Sequence, residues 1–265
     1  MKNFSGVCQA AGADKPLRAF FIWITNIVTS ADSTMGFLLN RPDDRDNLSK
    51  GRIIANMLIW LIILYAGCQV LYVICMLIYG AYGVIPTKLT EYGADPFFWK
   101  EQPFWQTILW FLIVGPLCEE TMFRLGLSFK RRTVGLWAGL LPVVMGGYLF
   151  QCRVWYILLL LAITGGLIFW LICRYTTDEQ WKNWRKKYII PAMWVTAIGF
   201  GLFHLNAFSV LNWLVLPYAL VTILQPMADG FVFTYARVNL GFWWSILLHF
   251  TKNLLAMLTI ASSWF

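Results

Sequence analysis

Residues 154–173, VWYILLLLAITGGLIFWLIC, run for twenty positions without a charge. A helix of ~20 apolar residues crosses a hydrocarbon core, and lipid allows only helices or closed barrels to cross it. A barrel strand would alternate apolar and polar residues over ~10 positions, and this run does not alternate. Comparable runs recur, and we place spans at about 53–79, 104–128, 134–150, 154–173, 189–206, 209–236 and 242–264. The chain therefore reads as all-α, a polytopic transmembrane helical bundle of about seven spans, six to eight. AFFIWITNIVTS (19–30) is too short to cross and is expected to lie at the interface. Pro217 and Pro226 predict that the span at 209–236 is kinked or broken.

Only 13% of the residues are charged and 59% are hydrophobic, against ~25% and ~45–50% in soluble domains. The net charge of +8 does not point to nucleic acid, because the cations collect at the ends of apolar runs. They are KRR at 130–132, Arg174, KNWRKK at 182–187, Arg237 and the basic residues of RPDDRDNLSKGR (41–52). With seven crossings all of these fall on one side, which the positive-inside rule makes cytoplasmic, together with the N-terminus. This predicts an integral, multi-pass protein of the cell membrane. Residues 1–52 form a cytoplasmic or interfacial segment and 53–265 a helical domain. The six cysteines, among them Cys118, show no CxxC pair or metal spacing and behave as small apolar residues inside spans.

An ionisable side chain inside a span is costly and marks a functional candidate. GPLCEETMFR (115–124) places Glu119 and Glu120 side by side with Arg124 in one apolar helix. The two histidines of the chain, His204 in AIGFGLFHLNAF and His249 in WWSILLHFTKN, lie in two others. Residues four apart share a helix face, which pairs Glu120 with Arg124, Phe200 with His204, and His249 with Asn253. Glu119 points about 100° away from Glu120, so Arg124 neutralises Glu120 and the Glu119 carboxylate remains for chemistry. At 1.5 Å per residue, Glu119 lies on the order of 15 Å from Lys130, and His249 roughly 10–12 Å from the 237–241 loop. His204 lies about 20 Å from a helix start near Pro191 by the same rise. Three helices thus deliver polar groups to one layer reached from the cytoplasmic side. Each group also has a structural reading: a buried tie for Glu120 with Arg124, packing for a histidine, interhelical hydrogen bonding for Asn253. Gln225 and Asp229 flank Pro226 and read as partners for backbone groups it frees. Cys118 lacks the local base that a nucleophilic thiol requires.

EETMFR reads as Glu-Glu-x-x-x-Arg, FGLFH as Phe-x-x-x-His and HFTKN as His-x-x-x-Asn. In that order on successive membrane helices, these motifs resemble the CPBP family of intramembrane CAAX-prenyl-protease and bacteriocin-processing proteins. The resemblance covers about 104–264. It implies a glutamate-dependent endopeptidase with a site open to the cytosol. Glu119 would be the base that activates water, helped by His204; Glu120 and Arg124 would be the supporting pair; His249 and Asn253 would stabilise the oxyanion. The substrate would be a peptide or a membrane protein, with a lipidated chain among the candidates. The chain departs from the family pattern in one respect. About two further spans and a basic loop, at about 130–188, separate the glutamate helix from the Phe-x-x-x-His helix, and an even number of added crossings keeps the orientation.

Zinc is the cofactor to weigh, since His204, His249 and a glutamate would make three ligands with one open position. There is no His-Glu-x-x-His spacing, and the resemblance implies a metal-independent mechanism. Two other classes use the same polar residues: a non-catalytic membrane scaffold or bacteriocin self-immunity protein, and a proton-coupled transporter. Paired repeat halves with broken helices, the usual mark of the last class, are not seen in the sequence.

Overall fold

The structure, a computed structural model, describes residues 50–83, 104–149, 154–208 and 211–261. Among them every regular element is helical, as expected. The interfacial segment expected at 19–30 lies outside the described residues. Helix α1 is Lys50–Ala81, α2 Phe104–Leu109, α3 Gly115–Arg124 and α4 Arg131–Val144; α5 is Trp155–Tyr175, α6 Asp178–Phe203, α7 Leu216–Asn239 and α8 Phe242–Ala261.

Among the described residues, four segments are long and apolar enough to cross a membrane: Ile53–Ala81, Trp155–Tyr175, Asp178–Ala207 and Leu216–Asn239. Much of their surface faces outward, including Ile62, Val70 and Leu77 on α1 and Leu160, Ile163 and Leu167 on α5. A contiguous apolar surface of this size is unsuited to water and suited to acyl chains. The remaining helices are diluted or interrupted by the residues of interest. Ser245, His249, Lys252 and Asn253 interrupt the apolar run of α8, and a π-helical turn, Trp110–Val114, separates α2 from α3.

Helix α7 is central and touches α1, α6 and α8. One core cluster joins Ile53 and Met57 of α1, Ile189 and Met193 of α6, and Val232, Tyr235 and Ala236 of α7. A second, at the other end of α1, joins Cys75 and Tyr79 to Val215 and Tyr218. Of the kink or break expected in this segment there is no break: α7 runs from Leu216 to Asn239 as one helix. Pro217 sits in the first turn, where its missing N–H leaves nothing unsatisfied, and Pro226 is accommodated mid-helix. Gln225 and Asp229, expected to serve backbone groups, have side-chain partners. Gln225 accepts a hydrogen bond from Gln69 Nε2 at 3.0 Å, and Asp229 pairs with Lys252 at 3.0 Å.

Helix α6 begins well before the start expected near Pro191, so the basic KNWRKK stretch is helical. The cause is local. Thr177 Oγ1 accepts from the Gln180 N–H at 3.2 Å, and Gln180 Oε1 accepts from the Thr177 N–H at 2.8 Å. Asp178 and Glu179 follow in the first turn, where the helix dipole favours anions. Thr177→Ala should lower stability by about 1 kcal/mol, read as a small fall in the melting temperature of the purified protein with its fold unchanged.

Among the described residues some of the basic ends lie near one another, Arg185 acting on Arg237. Arg131 donates to the Thr176 carbonyl at 3.3 Å and lies 3.7 Å from Asp178. Arg237 at the end of α7 reaches the Arg124 and Leu125 carbonyls at 2.9 and 3.1 Å. Gly241, at φ +110°, makes the turn from α7 into α8 with a left-handed backbone. Large aromatics are exposed near helix ends, among them Trp105, Trp155 and Trp243.

Candidate active site

The glutamate pair belongs to α3, which ends as Leu125–Ser128 tightens into a 3-10 turn. Glu120 and Arg124, one helical turn apart, form an ion pair in which both side chains are fully buried. The guanidinium also reaches Thr234 of α7, Nε to Oγ1 at 3.3 Å. It lies over the Phe200 ring of α6 at 4.4 Å and near that of Phe233 at 5.3 Å. Cation–π contact of this kind is strongest where water is excluded. One residue of α3 is thus held by two other helices.

His249 of α8 stands between the two glutamates. Its Nδ1 lies 3.0 Å from Glu120 Oε1, the oxygen that accepts from Arg124. An oxygen committed to accepting requires that Nδ1 carry the hydrogen. Nε2 is thereby turned to the second carboxylate, 3.6 Å from Glu119 Oε2. The imidazole is clamped by rings as well, stacked on Phe233 at 5.0 Å and edge-on to Phe200 at 5.7 Å. Ser245, a turn earlier on α8, donates to the Phe242 carbonyl at 2.9 Å and lies against Glu120. Glu119 is turned inward, its side chain 12% exposed. His249 is its neighbour, and the Glu119 charge also acts on Arg124.

His204 lies where α6 passes into a 3-10 turn, His204–Ala207. Its Nδ1 bonds the Phe200 carbonyl at 2.8 Å. A carbonyl only accepts, so Nδ1 carries the hydrogen and Nε2 keeps a lone pair. The charges of Glu119, Lys252 and His249 all act on this ring. Asn253 behaves differently from the expected partner of His249. Its Nδ2 donates to the Phe111 carbonyl in the π-helical turn at 2.9 Å. Five of the six expected site residues therefore share one neighbourhood, Glu119, Glu120, Arg124, His204 and His249, while Asn253 holds backbone beside it.

Three contributors were not expected from the sequence: Thr234, Ser245 and the Lys252–Asp229 pair. Ser245 had a visible signal, since Ser245, His249 and Asn253 recur every four residues on α8. Thr234 had none, because it matters only through contact with Arg124. Cys118 is a half-buried free thiol. Among the described residues no three His, Cys, Asp or Glu side chains are grouped to hold a metal ion. No protein-family model matches the chain, and neither curated proteins nor solved structures give a match.

Proposed function

We propose that the chain is a multi-pass membrane peptidase, with about seven crossings, an N-terminus in the cytoplasm and a site opening to that side of the cell membrane. One observation carries the reading: His249 stands between two carboxylates, Glu120, which is ion-paired with a buried arginine, and Glu119. A buried charged cluster of this kind is expensive in a bilayer, and hydrolysis gives it a use. Glu119 takes a proton from a water molecule, with the Nε2 lone pair of His204 as its aid, while the water oxygen attacks the scissile carbonyl carbon. The resemblance assigns to His249 the stabilisation of the negative charge that develops on the carbonyl oxygen, a kind that contributes ~10²–10³ in rate. Protonated Glu119 then gives its proton to the departing nitrogen as the C–N bond breaks. Glu120, held by Arg124, fixes the imidazole, as the third member of a catalytic triad does. The substrate classes that suit such a site are a lipidated C-terminal peptide, a leader peptide or the tail of a membrane protein. The resemblance of the three motifs to CPBP endopeptidases agrees with this reading.

The test is cleavage of a quenched peptide library by purified protein. Glu119→Gln and His204→Ala should each lower turnover, the former by ~10²–10⁴. Wild-type rates in both variants would end the proposal. Activity lost to a chelator and restored by zinc would convert it to a metallopeptidase.

The Lys252–Asp229 pair, in which the aspartate is buried and the lysine partly exposed, favours a second reading. Hydrolysis does not use it, whereas a proton-coupled transporter would. Asp229→Asn should leave cleavage intact if the peptidase reading holds and abolish substrate-driven proton uptake if the transporter reading does.

A further inference from the structure

The helix that bears Glu119 and Glu120 is entered through a backbone irregularity. Trp110–Val114 winds as a π-helical turn, and the Gly115 N–H bonds the Trp110 carbonyl five residues back. One residue further in the same register, the donor for the Phe111 carbonyl would be residue 116. That residue is proline, which has no N–H. The Phe111 carbonyl is thereby left without a helical donor, in a setting where water is scarce and an unsatisfied backbone group is costly. Asn253 supplies the donor from α8, Nδ2 to O at 2.9 Å, and is itself buried.

We infer that Asn253 is a positioning residue: it clamps the π-helical turn and so sets the angle at which α3 presents its two glutamates to His249. A π-turn inserts one residue into the helical ladder, so everything after it is rotated by about 100° relative to an unbroken α-helix. If the turn relaxed to the α register, Glu119 and Glu120 would swing by about that amount away from the imidazole. Helix α8 opposes this at three successive turns. Ser245 lies against Glu120, His249 meets both carboxylates, and Asn253 holds the backbone that leads into them. The assignment differs from the oxyanion role that the family resemblance implies for Asn253. Its effect on turnover rests on the peptidase reading; the clamp itself does not.

The experiment is a double-substitution cycle in the purified full-length protein, with Asn253→Ala, Pro116→Ala and both together. Asn253→Ala should lower the melting temperature and cut kcat about tenfold or more with KM little changed, as expected of a misplaced catalytic group. Pro116→Ala restores an N–H at 116. In the Asn253→Ala background it should therefore recover most of the lost melting temperature, or recover folded protein if Asn253→Ala does not accumulate. A wild-type melting temperature in Asn253→Ala would overturn the inference, and so would losses that simply add in the double variant. If wild type cleaves nothing, the peptidase reading fails while the melting temperatures still decide the clamp.

Discussion

Arg124→Met is expected to leave little folded protein. The substitution removes the partner of a fully buried carboxylate and leaves an uncompensated charge, a defect that costs about 3–5 kcal/mol. That is a large share of the roughly 5–15 kcal/mol by which a domain is stable. Thr234 loses its donor and the Phe200 and Phe233 rings lose the cation between them. The expected result is a steep fall in yield and melting temperature, with no cleavage. Removing both charges together, Glu120→Gln with Arg124→Met, should recover much of the stability, because neither ion is then stranded. Cleavage should stay absent in that double variant, since the Nδ1 of His249 no longer faces a charged acceptor. An Arg124→Met protein with wild-type melting behaviour would show that the pair carries no such weight.

The second large effect is at Gly230. A Cβ built there would lie 2.9 Å from the Ala197 carbonyl oxygen and 3.2 Å from its Cα. The obstacle is backbone, which cannot step aside as a flexible side chain would. Gly201 meets Met227 in the same interface, its Cβ position 2.6 Å from that of Met227, so α6 and α7 touch at two points. Gly230→Val should push the helices apart at a cost of about 1–3 kcal/mol or more. Because α6 carries Phe200 and His204, the displacement should also reach the site and depress cleavage per folded molecule. Gly165→Val is the matched control. It drives a Cβ into the Gly139 carbonyl, but at the contact of α4 with α5. That variant should lose stability while the molecules that do fold keep their turnover. Equal retention of turnover in both would show that the α6–α7 contact does not govern the site.

What could be read in the sequence followed from burial cost. A glutamate pair, an arginine and two histidines in apolar helices had to find one another, and the four-residue spacing of Glu120 and Arg124 predicted their ion pair directly. Helical periodicity set Glu119 on a different face from Glu120, although it could not show that His249 would stand against it. Partners chosen by tertiary contact were not legible. Thr234 is 110 residues from Arg124, and nothing in its neighbourhood on α7 distinguishes it from a packing threonine. The π-turn has no signature in composition, and Pro116 hints at it only once Asn253 is seen filling the gap. The start of α6 was misplaced for a different reason. A basic stretch and Pro191 read as a loop and a helix start, whereas the Thr177–Gln180 capping box begins the helix well upstream.

Helices α4 and α5 pack chiefly on each other among the described residues. The chain leaves the site-bearing helices at Phe129 and rejoins them at Asp178. These two points are neighbours: Phe129 meets the ring of Trp181 at 6.4 Å, and Arg131 spans to Thr176 and Asp178. A detour whose exit and return lie together can change in length at its far end without separating the segments it joins, although Trp137 of α4 stays tied to the Met122 carbonyl of α3 at 2.8 Å. Geometry of this sort lets a helical bundle acquire a lipid-facing annex while its buried polar groups stay in register.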